Sequence, residues 1–121
     1  MNKAMYILVN GDIKIKKGKL AGQVGHSVST YIYRNFIRNY KNKLIKDNNK
    51  IKEIDDYMKK QTKIILKCSQ VLLEKFESQG YITIRDDVDN NKNVITCVNY
   101  GIYDRDLEGN IPEEIKYLKL Y

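Results

Sequence analysis

Apolar positions along the chain gather into four short runs, with longer amphipathic stretches between them. Met5–Asn10 (MYILVN) is a continuous apolar run stopped by Gly11-Asp12, as a strand buried on both faces would be. Thr62–Cys68 reads as a second strand, rich in isoleucine and flanked by lysine. Tyr81–Arg85 (YITIR) alternates like a third, and Val94–Tyr100 makes a fourth. From about Lys19 to Asn39 the period becomes helical, with Leu20, Val24, Val28 and Tyr31 on one side and Ala21 and Ile32 at its edge. Ile51–Met58 predicts a short helix that turns Ile51, Ile54 and Met58 inward. Ser69 is a fair N-cap for a helix over Gln70–Ser78, amphipathic through Val71, Leu72, Lys75 and Phe76, and Gly80 closes it. A last short helix opens at Asn110-Ile111-Pro112-Glu113-Glu114, with asparagine at the cap and the only proline in the first turn. Strands alternating with helices predict an α/β fold: a single four-stranded mixed β-sheet with helices on both faces. Periodicity leaves the strand order open.

Composition narrows this picture. A chain of 121 residues is expected to form one domain over 1–121, with material for one core. A formal net charge of +7 points to an anionic partner, nucleic acid first. AT-rich coding, which favours Lys, Ile, Asn and Tyr, accounts for part of that lysine content. Cys68 and Cys97 fall in or at the ends of predicted strands without metal-ligand spacing, so they read as buried reduced thiols of a cytoplasmic protein. The run Met5–Val9 is too short for a signal-peptide core or a membrane span, so no membrane partner is expected.

Candidate chemistry concentrates in Gly11–Val28 (GDIKIKKGKLAGQVGHSV), which holds the only histidine, four lysines and four glycines. On a helix from Lys19, the residues Lys19, Gln23, His26 and Thr30 fall within roughly 60° of one another, a polar stripe opposite the apolar one. Gly22 and Gly25 lie between the stripes; each costs about 1 kcal/mol in a helix interior, so a close backbone approach is expected to offset them. Gly18 sits where amides are free to meet an anion, and Lys14, Lys16, Lys17 and Lys19 surround it with positive charge. A solvated helix face behind a basic turn would explain the same residues.

A second polar stretch, Asp86–Asn93, joins the third and fourth strands. Its alternating oxygens superficially suggest a calcium loop. Lys92 stands where that loop needs glycine, however, and Val98 where it needs a bidentate glutamate. A polar hairpin loop is the plain reading.

The D-I-K-x-x-K-G-K-L-A-x-Q-x-x-H pattern of Asp12–His26 resembles the signature of the type II peptidyl-tRNA hydrolases, D-(L/I)-K-M-G-K-G-K-(I/L)-A-A-Q-x-x-H after their first strand. The resemblance extends over most of the chain, through Lys63–Ser69, Asp86, Gly101-Ile102 and the closing Leu118-Lys119-Leu120-Tyr121. It implies a four-stranded mixed sheet between helices and hydrolysis of the ester joining peptide to tRNA. It also makes Asp86 the active-site aspartate, at the C-terminal end of its strand and facing the first loop if the two strands run parallel. Some positions depart from the family pattern. Its loop threonine becomes Asn90, a later threonine becomes Val98, and the glycine of its D-A-G loop becomes Val88. Thr96 would offer a hydroxyl nearby, on the same side of the strand as Val98.

The chemistry needs a base for water, a cation or amide for the tetrahedral oxyanion, and positive charge for the tRNA backbone. Lys19, His26 and Asp86 are the expected catalytic residues: Lys19 for the oxyanion or 3′ phosphate, His26 as base or its partner, Asp86 to orient either or to act on water. Which one is the base stays open. Asp12, Lys14, Lys17, Gly18, Gln23, Asn90 and Thr96 are the expected substrate contacts. The two cysteines lack histidine partners, and one histidine without an HxxEH-type pair cannot build the usual zinc site, so the expected mechanism uses no metal, cofactor or covalent intermediate. The expected partner is peptidyl-tRNA, held by its backbone, and a homodimer is compatible with the reading. The competing expectation is a catalytically weakened or inactive tRNA- or protein-binding module on the same fold.

Overall fold

A computed structural model describes residues 2–37, 48–107 and 109–121. Its centre is β1 (Lys3–Asn10), in which every residue from Ala4 to Asn10 is buried. Alternation divides that strand between two cores, with Met5, Ile7 and Val9 in one and Ala4, Tyr6 and Leu8 in the other. A strand apolar on both faces needs cover on both, and helices supply it. On one face lie α1 (Lys17–Ile32), a π-helical turn (Tyr33–Ile37) and α2 (Asn48–Lys60). On the other lie α3 (Gln70–Ser78) and the short α4 (Glu113–Lys116).

The other strands are β2 (Thr62–Cys68), β3 (Ile82–Val88) and β4 (Asn91–Asp104), in the order β2-β1-β4-β3. β2 runs parallel to β1, while β4 is antiparallel to both β1 and β3. β1, β2 and β3 therefore point the same way, and their C-terminal ends share one rim of the sheet. The outer edge of β2 is covered by the closing segment, where the Lys67 amide donates to the Lys119 carbonyl (2.8 Å) and the Tyr121 amide to the Ile65 carbonyl (3.0 Å). This blunts an edge that would otherwise be free to pair.

The α/β class and the helix-covered mixed sheet agree with the expectation, but several details differ. α1 starts at Lys17, and its predicted end at Asn39 lies outside the described residues. α2 is longer than expected, and it buries Tyr57 while leaving Met58 45% exposed. In α3, Leu73 and Phe76 are buried and Val71 is exposed. Its cap is as expected, with Ser69 Oγ accepting from the Leu72 amide at 3.2 Å and Gly80 at φ 93. Most of Asp86–Asn93 is strand, turning tightly at Asp89, whose φ of 52 an aspartate tolerates. Asn110 does not cap α4: its amide donates to the Asp104 carbonyl, and Pro112 occupies the cap position.

Two glycine expectations resolve in opposite ways. Gly22 and Gly25 are exposed, and outside their own helix backbone nothing among the described residues lies within 4 Å of where a Cβ would stand, so no close approach by those residues offsets their cost. Gly101 sits at a β4 bulge opposite Tyr6 with φ 112, its amide donating to Asn99 Oδ1 at 3.0 Å. Chemical denaturation should separate them: Gly22→Ala is expected to stabilise the protein by about 0.5–1 kcal/mol, and Gly101→Ala to destabilise it by about 1–3 kcal/mol.

Candidate active site

The candidate site lies at the rim shared by β1, β2 and β3, where buried polar groups set the geometry. Asn10, buried at the end of β1, donates through Nδ2 to the Ile95 carbonyl (2.9 Å) and accepts the Asp12 amide on Oδ1 (2.9 Å). Asp12 in turn accepts the Gln70 amide at 2.8 Å, so its carboxylate serves the N-terminus of α3. Ile15 is buried and pins the loop, leaving Lys14, Lys16, Lys17 and Gly18 exposed around the start of α1. α1 has no side-chain cap and no acid in its first turn. Its first amides and the lysines beside them form a positive entry.

α1 is rotated from the orientation its hydrophobicity predicts. The centre of its sheet-facing side is Ser27, fully buried, with Tyr31; Leu20, Val24 and Val28 are only partly buried. Ser27 satisfies its hydroxyl inside its own helix, donating to the Val24 carbonyl at 2.9 Å, while its carbonyl accepts from Asn99 Nδ2 at 3.3 Å. The rotation brings Gln23 down to the sheet edge and leaves His26 exposed.

A bulge in β4 meets Gln23 there. Ile84 pairs with Cys97 and Arg85 with Ile95, which makes Thr96 an extra residue in the ladder. Alternation is broken, so Thr96 and Val98 do not share a side as expected. Thr96 and Cys97 both face α1, whereas Val98 is buried in the opposite core. Thr96 Oγ1 stands 2.7 Å from Gln23 Oε1, with the Ile84 carbonyl at 3.1 Å. That contact turns the Gln23 amide so that Nε2 donates to Asp86 Oδ2 at 3.1 Å.

Lys19, one turn before Gln23, completes the cluster. Its ammonium lies 3.4 Å from Asp86 Oδ2 and donates to the Asp87 carbonyl. Asp86 Oδ1 accepts the Asp87 amide at 2.7 Å. That amide, the Lys19 charge and the Gln23 hydrogen bond hold the Asp86 carboxyl below its ordinary range. Both side chains remain partly open to solvent, at 38% and 44%. On the far side of β3, Arg85 grips Glu77 in a bidentate pair (2.9 and 2.7 Å) and donates to the Asn93 carbonyl, tying the hairpin to α3.

The structure thus brings together Lys19, Gln23, Asp86 and Thr96. Lys14 lies on the loop before α1 and Lys17 and Gly18 in its first turn, while Asp12 gives one carboxylate oxygen to α3. Asn90, in the β3–β4 turn, and His26 are exposed, and their side chains make no hydrogen bond among the described residues. His26 lies seven residues beyond Lys19, about 10 Å along the helix. Burial pushes both cysteine thiols up to about 11, unsuited to act as thiolates at neutral pH. Among the described residues, no three His, Cys, Asp or Glu side chains converge as metal ligands would.

Residues 3–116, from β1 through α4, match the protein family described as peptidyl-tRNA hydrolase PTH2. The chain belongs to this family. No match to an individual curated protein accompanies it. The PTH2 match spans the whole Lys19–Asp86 cluster, the Thr96 bulge and the basic entry loop. Among the described residues, no helix of this PTH2 chain is long and apolar enough to cross a membrane.

Sequence reasoning missed Asn10, Ser27 and Arg85. Asn10 carried one signal, a polar residue closing an apolar run, and Ser27 carried none.

Because the folded-state pKa of Asp86 is depressed, its contribution to stability is present above the ordinary carboxylate pKa of about 3.9 and lost as pH falls through the folded value. In Lys19→Met, carboxyl NMR titration should show the Asp86 pKa rising yet staying below ordinary, since the Asp87 amide remains. No rise would mean that the lysine does not contribute.

Proposed function

We propose that this chain hydrolyses the ester between peptide and tRNA, with Lys19 and Asp86 at the reacting centre. The half-exposed Lys19–Asp86 pair, buttressed by Gln23 at the rim of the sheet, carries this reading. Membership of the PTH2 family supports it. Water attacks the ester carbonyl carbon, aligned by a hydrogen bond to the Asp86 carboxylate. The Lys19 ammonium stabilises the oxyanion that forms, being already held where negative charge develops. As the adduct collapses, one proton of the attacking water passes to the departing ribose 3′ oxygen and the other leaves to solvent, releasing the ribose 3′-hydroxyl and the peptide carboxylate. Asp86 is held anionic at neutral pH, which suits aiming the lysine and the water better than storing a proton.

Lys14, Lys16, Lys17 and the amides near Gly18 meet the tRNA phosphates, so binding falls steeply with salt. His26 meets substrate from the exposed face of α1, away from the reacting atoms. Asn90 and Thr96 take different roles: Asn90 contacts substrate from the turn, while buried Thr96 sets Gln23. The reaction serves translation in the cytoplasm, recycling tRNA from peptides that leave the ribosome early.

Release of peptide from N-acetylated aminoacyl-tRNA tests the proposal. Lys19→Ala and Asp86→Ala are each expected to lose about 100-fold or more in kcat while keeping the fold, and His26→Ala to lose less than about tenfold. Unchanged activity in the first two variants would overturn it. Tight, salt-sensitive tRNA binding without release by the wild type would establish the binding-module reading instead.

A further inference from the structure

We propose that the cavity between the loop after β1 and the closing segment Lys119–Tyr121 is a nucleotide subsite. The Tyr121 ring stacks a base of the single-stranded 3′ end of the substrate, and Lys14 and Lys67 take the adjoining phosphate. This inference rests on the hydrolase reading, since it assigns a further part of the same substrate.

The cavity measures about 450 Å3 and is lined by Gly11, Asp12, Ile13, Lys14, Lys67 and Tyr121. It opens on the same rim as the Lys19–Asp86 pair, because β1, β2 and β3 end together there. Lys67 is on β2 and Asp86 on β3, at opposite edges of the sheet. Three strand spacings separate them, about 14 Å. Tyr121 lies one spacing further out, beyond β2, about 19 Å from β3. A few single-stranded nucleotides bridge that distance, so an ester at Asp86 and a base at Tyr121 can belong to one 3′ end.

The walls are fixed before any ligand arrives. The Tyr121 amide is bonded to the Ile65 carbonyl and the Lys119 carbonyl to the Lys67 amide, so the backbone that carries the ring is part of the sheet. Tyr121 as a whole is left about 43% exposed. Lys67 Nζ lies 6.0 Å from the centre of that ring, over its face. The stem of Lys67 crosses Gly11 so closely that a Cβ there would come within 2.4 Å of Cγ. Asp12 also lines the cavity, with one carboxylate oxygen accepting the Gln70 amide, so two cations, Lys14 and Lys67, stand against one anion there. An exposed aromatic face beside two cations is the chemistry that holds single-stranded nucleic acid without reading its sequence.

The test is titration of the full chain with a fluorescent single-stranded RNA ending in CCA, run beside the peptide-release assay. Tyr121→Ala is expected to bind about tenfold more weakly and Tyr121→Phe like wild type, as one lost stack predicts. Lys67→Gln should bind more weakly with a shallower salt dependence. Tyr121→Ala keeps the backbone pairing with Ile65, so its thermal midpoint should match wild type. Equal RNA binding by Tyr121→Ala and wild type overturns the subsite, even where the wild type releases peptide and the hydrolase reading stands. Tenfold weaker binding upholds the subsite, even where wild type releases nothing and the hydrolase reading falls.

Discussion

The double burial of β1 is the constraint on which the rest depends. A strand with Met5, Ile7 and Val9 on one face and Ala4, Tyr6 and Leu8 on the other cannot stand with one face in water. Helices must cover both faces, and β1 must have neighbours on both edges, which β2 and β4 supply. Once β1 is central, its end at Asn10 lies deep in the protein. A buried amide there can stay only if it is hydrogen-bonded, and its bonds to Ile95 and Asp12 set the direction of the basic loop that follows. Fold and site are thus joined at one side chain.

Irregularity in the sheet then shapes the site. Regular alternation would put Thr96 and Val98 on the same face. The extra residue in β4 breaks the pleat, buries Val98 in the far core and turns Thr96 toward α1. The Thr96 hydroxyl fixes which end of the Gln23 amide faces Asp86. Asp86 is thereby held by one cation and two N–H donors while staying open to solvent. Such an arrangement keeps a carboxylate charged and aimed, which is what alignment of a lysine and a water requires.

Much of this was legible in the sequence, because it rests on strong local signals. The apolar run of β1, the alternation of β3, the Ser69 cap and the Gly80 stop all report short-range physics. The D-I-K-x-x-K-G-K-L-A-x-Q-x-x-H segment singled out Lys19 and Gln23, and the family resemblance singled out Asp86, which the fold sets beside them. What stayed hidden depends on packing between elements. Ser27 lies at the centre of the buried face of α1 because its hydroxyl is satisfied within the helix, and hydrophobicity cannot register that. The bulge at Thr96 is a mismatch between two strands, invisible to the period of either one. Asp12 read as a substrate contact on its motif alone, and its hydrogen bond from the Gln70 amide, across 58 residues of sequence, was not foreseeable there.

The most direct test of the central claim is a double-mutant cycle on peptide release, with Lys19→Ala, Asp86→Ala and both together. A pair that acts as one unit predicts a double variant about as slow as the slower single variant. Losses that simply add, or a wild type that releases no peptide, would contradict the account.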